Sequence, residues 1–231
     1  MSAFVSAVIV AAGGSTRMGT SDSKQFIELL GKPALSYTLA AFQSCGLIRE
    51  IVIVSRAQDI ERIQALADAY GFTKVTAVTE GGACRAESVK NGILAANPDA
   101  AYFAVHDGAR PLITVRDITA VVEAALETGA ATLGTPVTDT IKVVDENNVI
   151  TATPNRAALR AVQTPQVFER ALYTLALSEA AHLESVTDDC SLIEQMGGEV
   201  QIIEGSRENI KLTTPIDILI AESILQKREH T

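Results

Sequence analysis

The chain has 231 residues, 47% apolar and 20% charged, which is ordinary for a globular fold and long enough to bury a full core. Acidic residues (28) outnumber basic ones (19), and the formal net charge of −9 excludes the broad basic face that nucleic-acid binding needs, though not a small basic pocket. Three dispersed cysteines, Cys45, Cys84 and Cys190, read as reduced thiols of a cytoplasmic protein, and no apolar run reaches the length of a signal peptide or membrane span, so no membrane partner is expected.

The first element is a β-branched apolar strand, Val5–Ala11, which runs into a loop of small residues. Ala11, Ala12, Gly13 and Gly14 permit close approach to the backbone, and Arg17 and Lys24 follow as cations. Gly13, Gly14 and Gly19 fit neither the Walker nor the dinucleotide spacing, and no Lys-Ser/Thr pair follows them. What remains is a strand-to-helix loop whose backbone N–H groups are free to meet phosphate; the plain alternative is a turn with two solvated cations.

Pro33 then opens a helix carrying Leu35, Leu39 and Phe42, stopped by Gly46. Strand Glu50–Ser55, a helix through Ile60, Ile63, Leu66 and Tyr70 ending at Gly71, and strand Thr73–Thr79 follow. The next turn, Gly81-Gly82, leads into a helix bearing Arg85 and Ser88. Strand Ala101–His106 ends in HDGARP (106–111), where Asp107 sits at the carboxyl end of a strand and suits a hard divalent ion such as Mg²⁺ shared with phosphates. His106 has no second histidine at metal spacing, His182 and His230 being remote, and reads as structural. Thr114 and Asp117 mark the start of another helix. Strands Ala131–Val137 and Glu199–Glu204 complete the set, and Thr214-Pro215 with Asp217 opens the last helix. Alternating strands and helices at this rhythm predict an α/β fold: a Rossmann-like, mostly parallel sheet with helices on both faces.

One stretch breaks the rhythm. Residues 139–153 read as two strands around Glu146-Asn147-Asn148, either an edge hairpin on its own sheet or an arm that packs on a partner chain. Beyond it lie further polar clusters: 163–166, 186–189 with Thr187, and ENIK (208–211), which supplies Glu208 and Lys211. Cations and carboxylates recurring at strand ends suit phosphoryl or nucleotidyl transfer, where catalysis is mostly positioning and charge stabilisation.

The segments AVIVAAGGSTRMG (7–19), SKQF (23–26), RAESV (85–89), HDGARP (106–111), PVTDTIK (136–142), TPQVF (164–168), TDD (187–189) and ENIKLTTPID (208–217) occur in the order found in the 2-C-methyl-D-erythritol 4-phosphate cytidylyltransferase family, which the chain resembles from Ala7 to about Ala221. The resemblance implies transfer of CMP from CTP to the sugar-alcohol phosphate, in isoprenoid precursor biosynthesis, by a single domain spanning 1–231. It also implies Mg²⁺ and a homodimer made by the protruding β-hairpin arm at about 137–156. By position in the motifs, Arg17 and Lys24 match the cations acting at the α-phosphorus. Ala11, Ala12, Gly13, Gly14, Gly81, Gly82, Arg85 and Ser88 match the nucleotide site. Asp107 and Glu208 match metal carboxylates. Arg110, Thr164, Thr187 and Lys211 match the acceptor site, to which Thr140 and Arg156 belong from the neighbouring subunit's arm. The chain departs from the family pattern at Ser15, Ser23, Gly108 and Glu208. A rival reading is a cytidylyltransferase for another polyol phosphate, such as ribitol 5-phosphate. A rival of another class is a non-catalytic nucleotide-binding protein, against which the joint presence of Arg17, Lys24, Asp107 and Lys211 argues.

Overall fold

The computed structural model describes residues 3–13 and 23–230. Its strands are β1 (Val5–Val10), β2 (Glu28–Leu29), β3 (Lys32–Pro33), β4 (Ile48–Ser55), β5 (Val75–Glu80), β6 (Tyr102–Asp107), β7 (Ala130–Pro136), β8 (Val143–Val144), β9 (Ile150–Ala152), β10 (Arg160–Glu169) and β11 (Gln201–Glu204). The helices are α1 (Ala34–Ser44), α2 (Ile60–Ala69), α3 (Arg85–Ala95), α4 (Val115–Thr128), α5 (Arg170–Glu179), α6 (Asp189–Gln195) and α7 (Pro215–Glu229).

Seven strands form one sheet in the order β11-β7-β10-β6-β1-β4-β5. All neighbouring pairs are parallel except those of β10, which runs antiparallel between β6 and β7. The expected mostly parallel α/β sheet is therefore present. β10 was not foreseen, nor was the short β2–β3 hairpin, and Pro33 caps α1 from β3 instead of occupying its first turn.

Strand periodicity explains the two covered faces. Ala7, Ile9, Ile51 and Ile53 pack on one side with Leu35, Leu39 and Phe42 of α1, Ile63 of α2 and Val121 of α4. Their neighbours Val8, Val52 and Val54 point the other way, onto Val89 and Ile93 of α3, Tyr173 of α5 and Ile193 of α6. Successive side chains on a strand face opposite sides, so a strand buried on both faces is mostly apolar, and its polar side chains need partners, as Ser6 finds in Glu50. The helix starts follow local chemistry: Thr114 caps α4 by accepting from Asp117 N–H, and Thr214 with Asp217 forms a full capping box on α7.

The chain order places the site. From β1 it winds through β4 to β5 on one side, then crosses to β6 on the other side of β1. The crevice at the carboxyl ends of β1 and β6 is thus the point where the winding reverses, the usual ligand position in open α/β sheets. The arm leaves the sheet after β7 as its own two-stranded ribbon, β8–β9, and residues 138–153 are exposed throughout. Its tip is an Asx turn in which Asp145 accepts from Asn147 and Val149 N–H, with Asn148 at a φ of 61°.

Candidate active site

A cleft of about 360 Å³ opens at that switch point. Ala11, Ala12 and Gly13 form one wall, Lys24 and Gln25 another, and Gly82, Ala83, Cys84, Arg85 and Ser88 a third. Asp107, Gly108, Ala109 and Lys211 make the floor. Nine of the residues singled out in the sequence are brought together here, from segments up to two hundred residues apart.

Two glycines set the loop geometry. A Cβ on Gly81 would lie 2.7 Å from the Ala12 Cβ, so the two phosphate-type loops touch only because this residue has no side chain. A Cβ on Gly82 would lie 2.3 Å from that of Glu87. The turn is locked by Ser88, whose Oγ accepts from Gly82 N–H at 3.1 Å and donates to the Cys84 carbonyl at 2.9 Å. Ser88 therefore builds this wall of the cleft from behind its backbone as well as lining it.

Asp107 is the electrostatic centre. Lys211 Nζ stands 2.8 Å from its Oδ2, Arg85 Nε 3.3 Å from its Oδ1, and Arg110 Nε 3.7 Å from Oδ2. Burial alone would raise this carboxyl, but Arg85, Lys211 and Arg110 outweigh it and hold it well below the usual carboxylate range. Burial conversely lowers the Arg110 guanidinium from its ordinary value, only partly offset by Asp107. Lys211 reaches Asp107 because its segment is pinned on both sides. Leu212 N–H donates to the Ala109 carbonyl, the Asn209 carbonyl accepts from Arg110, and the buried Asn209 amide donates to the Thr164 carbonyl.

Behind Asp107 runs a short relay. Its N–H donates to Thr164 Oγ1 at 3.1 Å, leaving the Thr164 hydroxyl to donate to His106 Nδ1 at 3.0 Å. Nε2–H of His106 then donates to the Arg110 carbonyl at 3.3 Å. This chain satisfies a neutral imidazole, and burial pushes its pKa down to about 3. His106 is structural, as expected. Thr164, expected at the acceptor, is only 5% exposed and acts on the site through the backbone of Asp107.

Other expectations fall elsewhere. Glu208, expected as a second metal carboxylate, does not line the cleft; its Oε2 is held by Arg228 of α7 at 2.8 Å. The last turn of α7 presents Arg228 to the turn after β11 that carries Glu208. Thr187 is exposed ahead of α6, and Thr140 and Arg156 are exposed on the arm, where Arg156 donates to the Thr138 carbonyl. Arg17 and Gly14 lie outside the described residues. Among the described residues no group of three or more His, Cys, Asp or Glu side chains is arranged to hold a metal. A divalent ion shared between Asp107 and substrate phosphates fits the single carboxylate present; an all-protein cage does not.

Residues overlooked in the sequence include Gln25, Asn209 and Asp189. Asn209 lies inside the ENIK segment, but its full burial follows from tertiary packing, and nothing in the local sequence signals it. Lys24 follows Ser23, whose hydroxyl donates to the buried Asp59 at 2.7 Å, and Gln25 donates to the same carboxylate at 3.2 Å.

A basic, small-residue cleft closed on a strand-end carboxylate, at the switch point of a parallel sheet, places the chain among the nucleotidyltransferases. Comparison with known proteins narrows this. The model of the 2-C-methyl-D-erythritol 4-phosphate cytidylyltransferase family (IspD) matches residues 5–227. A protein of that name from Caldanaerobacter subterraneus subsp. tengcongensis is 44% identical over 225 residues, covering 96% of this chain and 99% of the relative. Another, from Halalkalibacterium halodurans, is 45% identical over 226 residues, covering 97% and 98%. The crystal structure of 4-diphosphocytidyl-2C-methyl-D-erythritol synthase from Anaerococcus prevotii matches with a TM-score of 0.86 at 30% identity, covering 97% of each chain. The chain belongs to the 2-C-methyl-D-erythritol 4-phosphate cytidylyltransferase family.

Proposed function

We propose that the protein transfers CMP from CTP to 2-C-methyl-D-erythritol 4-phosphate, releasing pyrophosphate and forming 4-diphosphocytidyl-2-C-methyl-D-erythritol. The observation that carries this reading is the convergence of Lys24, Asp107 and Lys211 with the Ala11–Gly13 and Gly81–Gly82 loops in one cleft, in a chain of this family. Small residues let the base and phosphates approach the backbone, where fixed N–H and C=O groups discriminate well because a wrong base leaves them unpaired.

The chemistry needs no general base. A phosphate monoester has its second pKa near ~6, so one of its oxygens is already a nucleophile at neutral pH. That oxygen forms a bond to the α-phosphorus of CTP while the bond to the bridging oxygen breaks, and the electron pair leaves with pyrophosphate. The obstacle is repulsion between two anions. Lys24 and Lys211 offset it, with Arg17 by family position, and Lys211 is 44% exposed, so it meets an incoming phosphate as well as Asp107. A bound Mg²⁺, held by Asp107, would neutralise charge on the phosphate oxygens.

The same reading takes 1–231 as a single domain whose arm, about 137–156, completes a homodimer and brings Thr140 and Arg156 to the partner's acceptor site. What supports it is the arm's exposed apolar set, Ile141, Val143, Val144, Val149 and Ile150, on a ribbon too small to be stable alone. Three free cysteines fit a cytoplasmic setting. The deciding experiment is a pyrophosphate-release assay with CTP or UTP against 2-C-methyl-D-erythritol 4-phosphate and ribitol 5-phosphate. Turnover with CTP and the methylerythritol phosphate alone is expected; equal turnover with ribitol 5-phosphate, or none with any acceptor, overturns the reading.

A further inference from the structure

Asp189 is wholly buried, at 0% exposure, and lies outside the cleft lining. A carboxylate so placed must be paired, because an unpaired buried charge is strongly destabilising. Both oxygens are in use. Oδ2 accepts from Arg85 NH1 at 2.6 Å, and Oδ1 accepts from the Tyr173 hydroxyl. Tyr173 is itself fully buried on α5 and stacks on Phe168 of β10 with ring centroids 4.6 Å apart. The backbone is fixed as well: Asp189 N–H donates to Gln166 Oε1 at 2.9 Å, and the Gln166 amide donates to Asp188 at 2.8 Å.

On its other edge the same guanidinium meets Asp107, with Nε 3.3 Å from Oδ1. Arg85 is therefore a strut. It joins a carboxylate locked into the α5–α6 layer to the carboxylate at the centre of the site. A planar fork with two edges engaged has one orientation, which a Lys could not reproduce.

We propose that Asp189, held by Tyr173, is a positioning residue: it orients Arg85 and through it the Asp107 carboxylate, in a site read as above as one for CMP transfer. Asp189 also divides the charge of Arg85. Without it the whole guanidinium charge falls on Asp107, pulling that carboxylate toward Arg85 and away from Lys211. Simple electrostatics makes the opposite forecast. Removing a negative charge near a site for a triphosphate would lower the KM for CTP and leave kcat alone. The two accounts therefore separate in the split between kcat and KM.

The test uses Asp189→Asn, which keeps the shape and removes the charge, and Tyr173→Phe, which removes only the hydroxyl. Both are assayed for pyrophosphate release well below their unfolding midpoints. Losing a charge-assisted hydrogen bond should lower kcat roughly 10- to 100-fold for Asp189→Asn and about 3-fold or more for Tyr173→Phe, with little change in the KM for CTP. In an Arg85→Gln background, Asp189→Asn should cost almost nothing further, since its only route to the site is gone. An equal loss in both backgrounds, or a lowered KM with unchanged kcat, overturns the proposal. If Asp189→Asn does not fold, Tyr173→Phe decides, and an unchanged kcat there overturns it too. Failure of the underlying functional reading is distinguishable, because the wild-type protein would then release no pyrophosphate before any variant is compared.

Discussion

Gly92 sits in the middle of α3, where glycine is a poor helix former, and the exchange Gly92→Ala would gain about 1 kcal/mol from propensity alone. The packing says the reverse. A Cβ at this position would lie 2.5 Å from Val8 Cγ1 and 2.7 Å from Val54 Cγ2, where ordinary contact is 3.4–4 Å. Both valines are at 0% exposure, Val8 within β1 and Val54 near the end of β4, and β-branched side chains are stiff at χ1, so neither can step aside. The helix must lift off the sheet by the order of 1 Å, an overpacking cost near the upper part of the usual range of about 1–3 kcal/mol. After the propensity gain, a net loss of about 1–2 kcal/mol remains. For a chain of this size that lowers Tm by roughly 2–8 °C. Because α3 also carries Arg85 and Ser88, lifting it loosens the Gly82–Ser88 turn, and the KM for CTP should rise severalfold while the acceptor KM moves less. Thermal unfolding and initial-rate kinetics on the same preparation check both. A Tm equal to or above that of the wild type would refute the reasoning, since it would mean that backbone propensity outweighs contact with the two valines.

Acid should expose the buried imidazole. With His106 near 3 in the fold and about 6.5 when unfolded, only the unfolded chain takes up the proton between those values, so stability is fully present above about pH 6.5 and falls as pH drops. By pH 5 the wild type should have lost about 2 kcal/mol more than His106→Gln, measured by urea unfolding; parallel curves would mean the ring titrates normally inside the fold. Asp107→Asn should lower kcat about 100-fold or more with little effect on far-ultraviolet circular dichroism, and an unchanged rate at saturating Mg²⁺ would remove Asp107 from the chemistry. Lys24→Ala and Arg156→Ala should each be inactive alone yet regain activity when mixed, because a two-fold dimer with a shared site then contains one site with both residues intact; no recovery after demonstrated subunit exchange would mean each chain builds its site alone.

The sheet was legible where a buried strand is mostly apolar. β1, β4 and β6 announce themselves as continuous apolar runs, and α1 and α2 by the spacing of Leu35, Leu39, Ile63 and Leu66. β10 carries the opposite signals. Gln163, Thr164, Pro165 and Gln166 look like a loop, and a proline argues against a central strand. The pairing tolerates it through a register shift between Val162 and Gln166. The polar side chains are satisfied by groups far away in sequence: Gln166 by the start of α6, Thr164 by Asp107 and His106, and Gln163 by the Ser206 carbonyl. A polar strand is stable in the middle of a sheet only when such partners exist, and no local window contains them.

The same distinction divides the site. Lys24, Asp107 and Lys211 could be read because a strand end or a small-residue loop marks the position, whatever lies opposite. The pairing of Glu208 with Arg228 could not be read, because Arg228 sits at the end of a helix whose docking angle no motif records. Asp188 and Asp189 are chemically identical in the sequence, yet one caps α6 by accepting from Ser191 N–H and the other is buried against Arg85, 104 positions away. Which of two adjacent carboxylates turns inward is decided by α5, which brings Tyr173 to one of them and leaves the other to the helix end. Charge placement by tertiary packing is therefore the part of this site that composition and spacing could not carry, and it is the part that fixes how Asp107 is presented to a substrate.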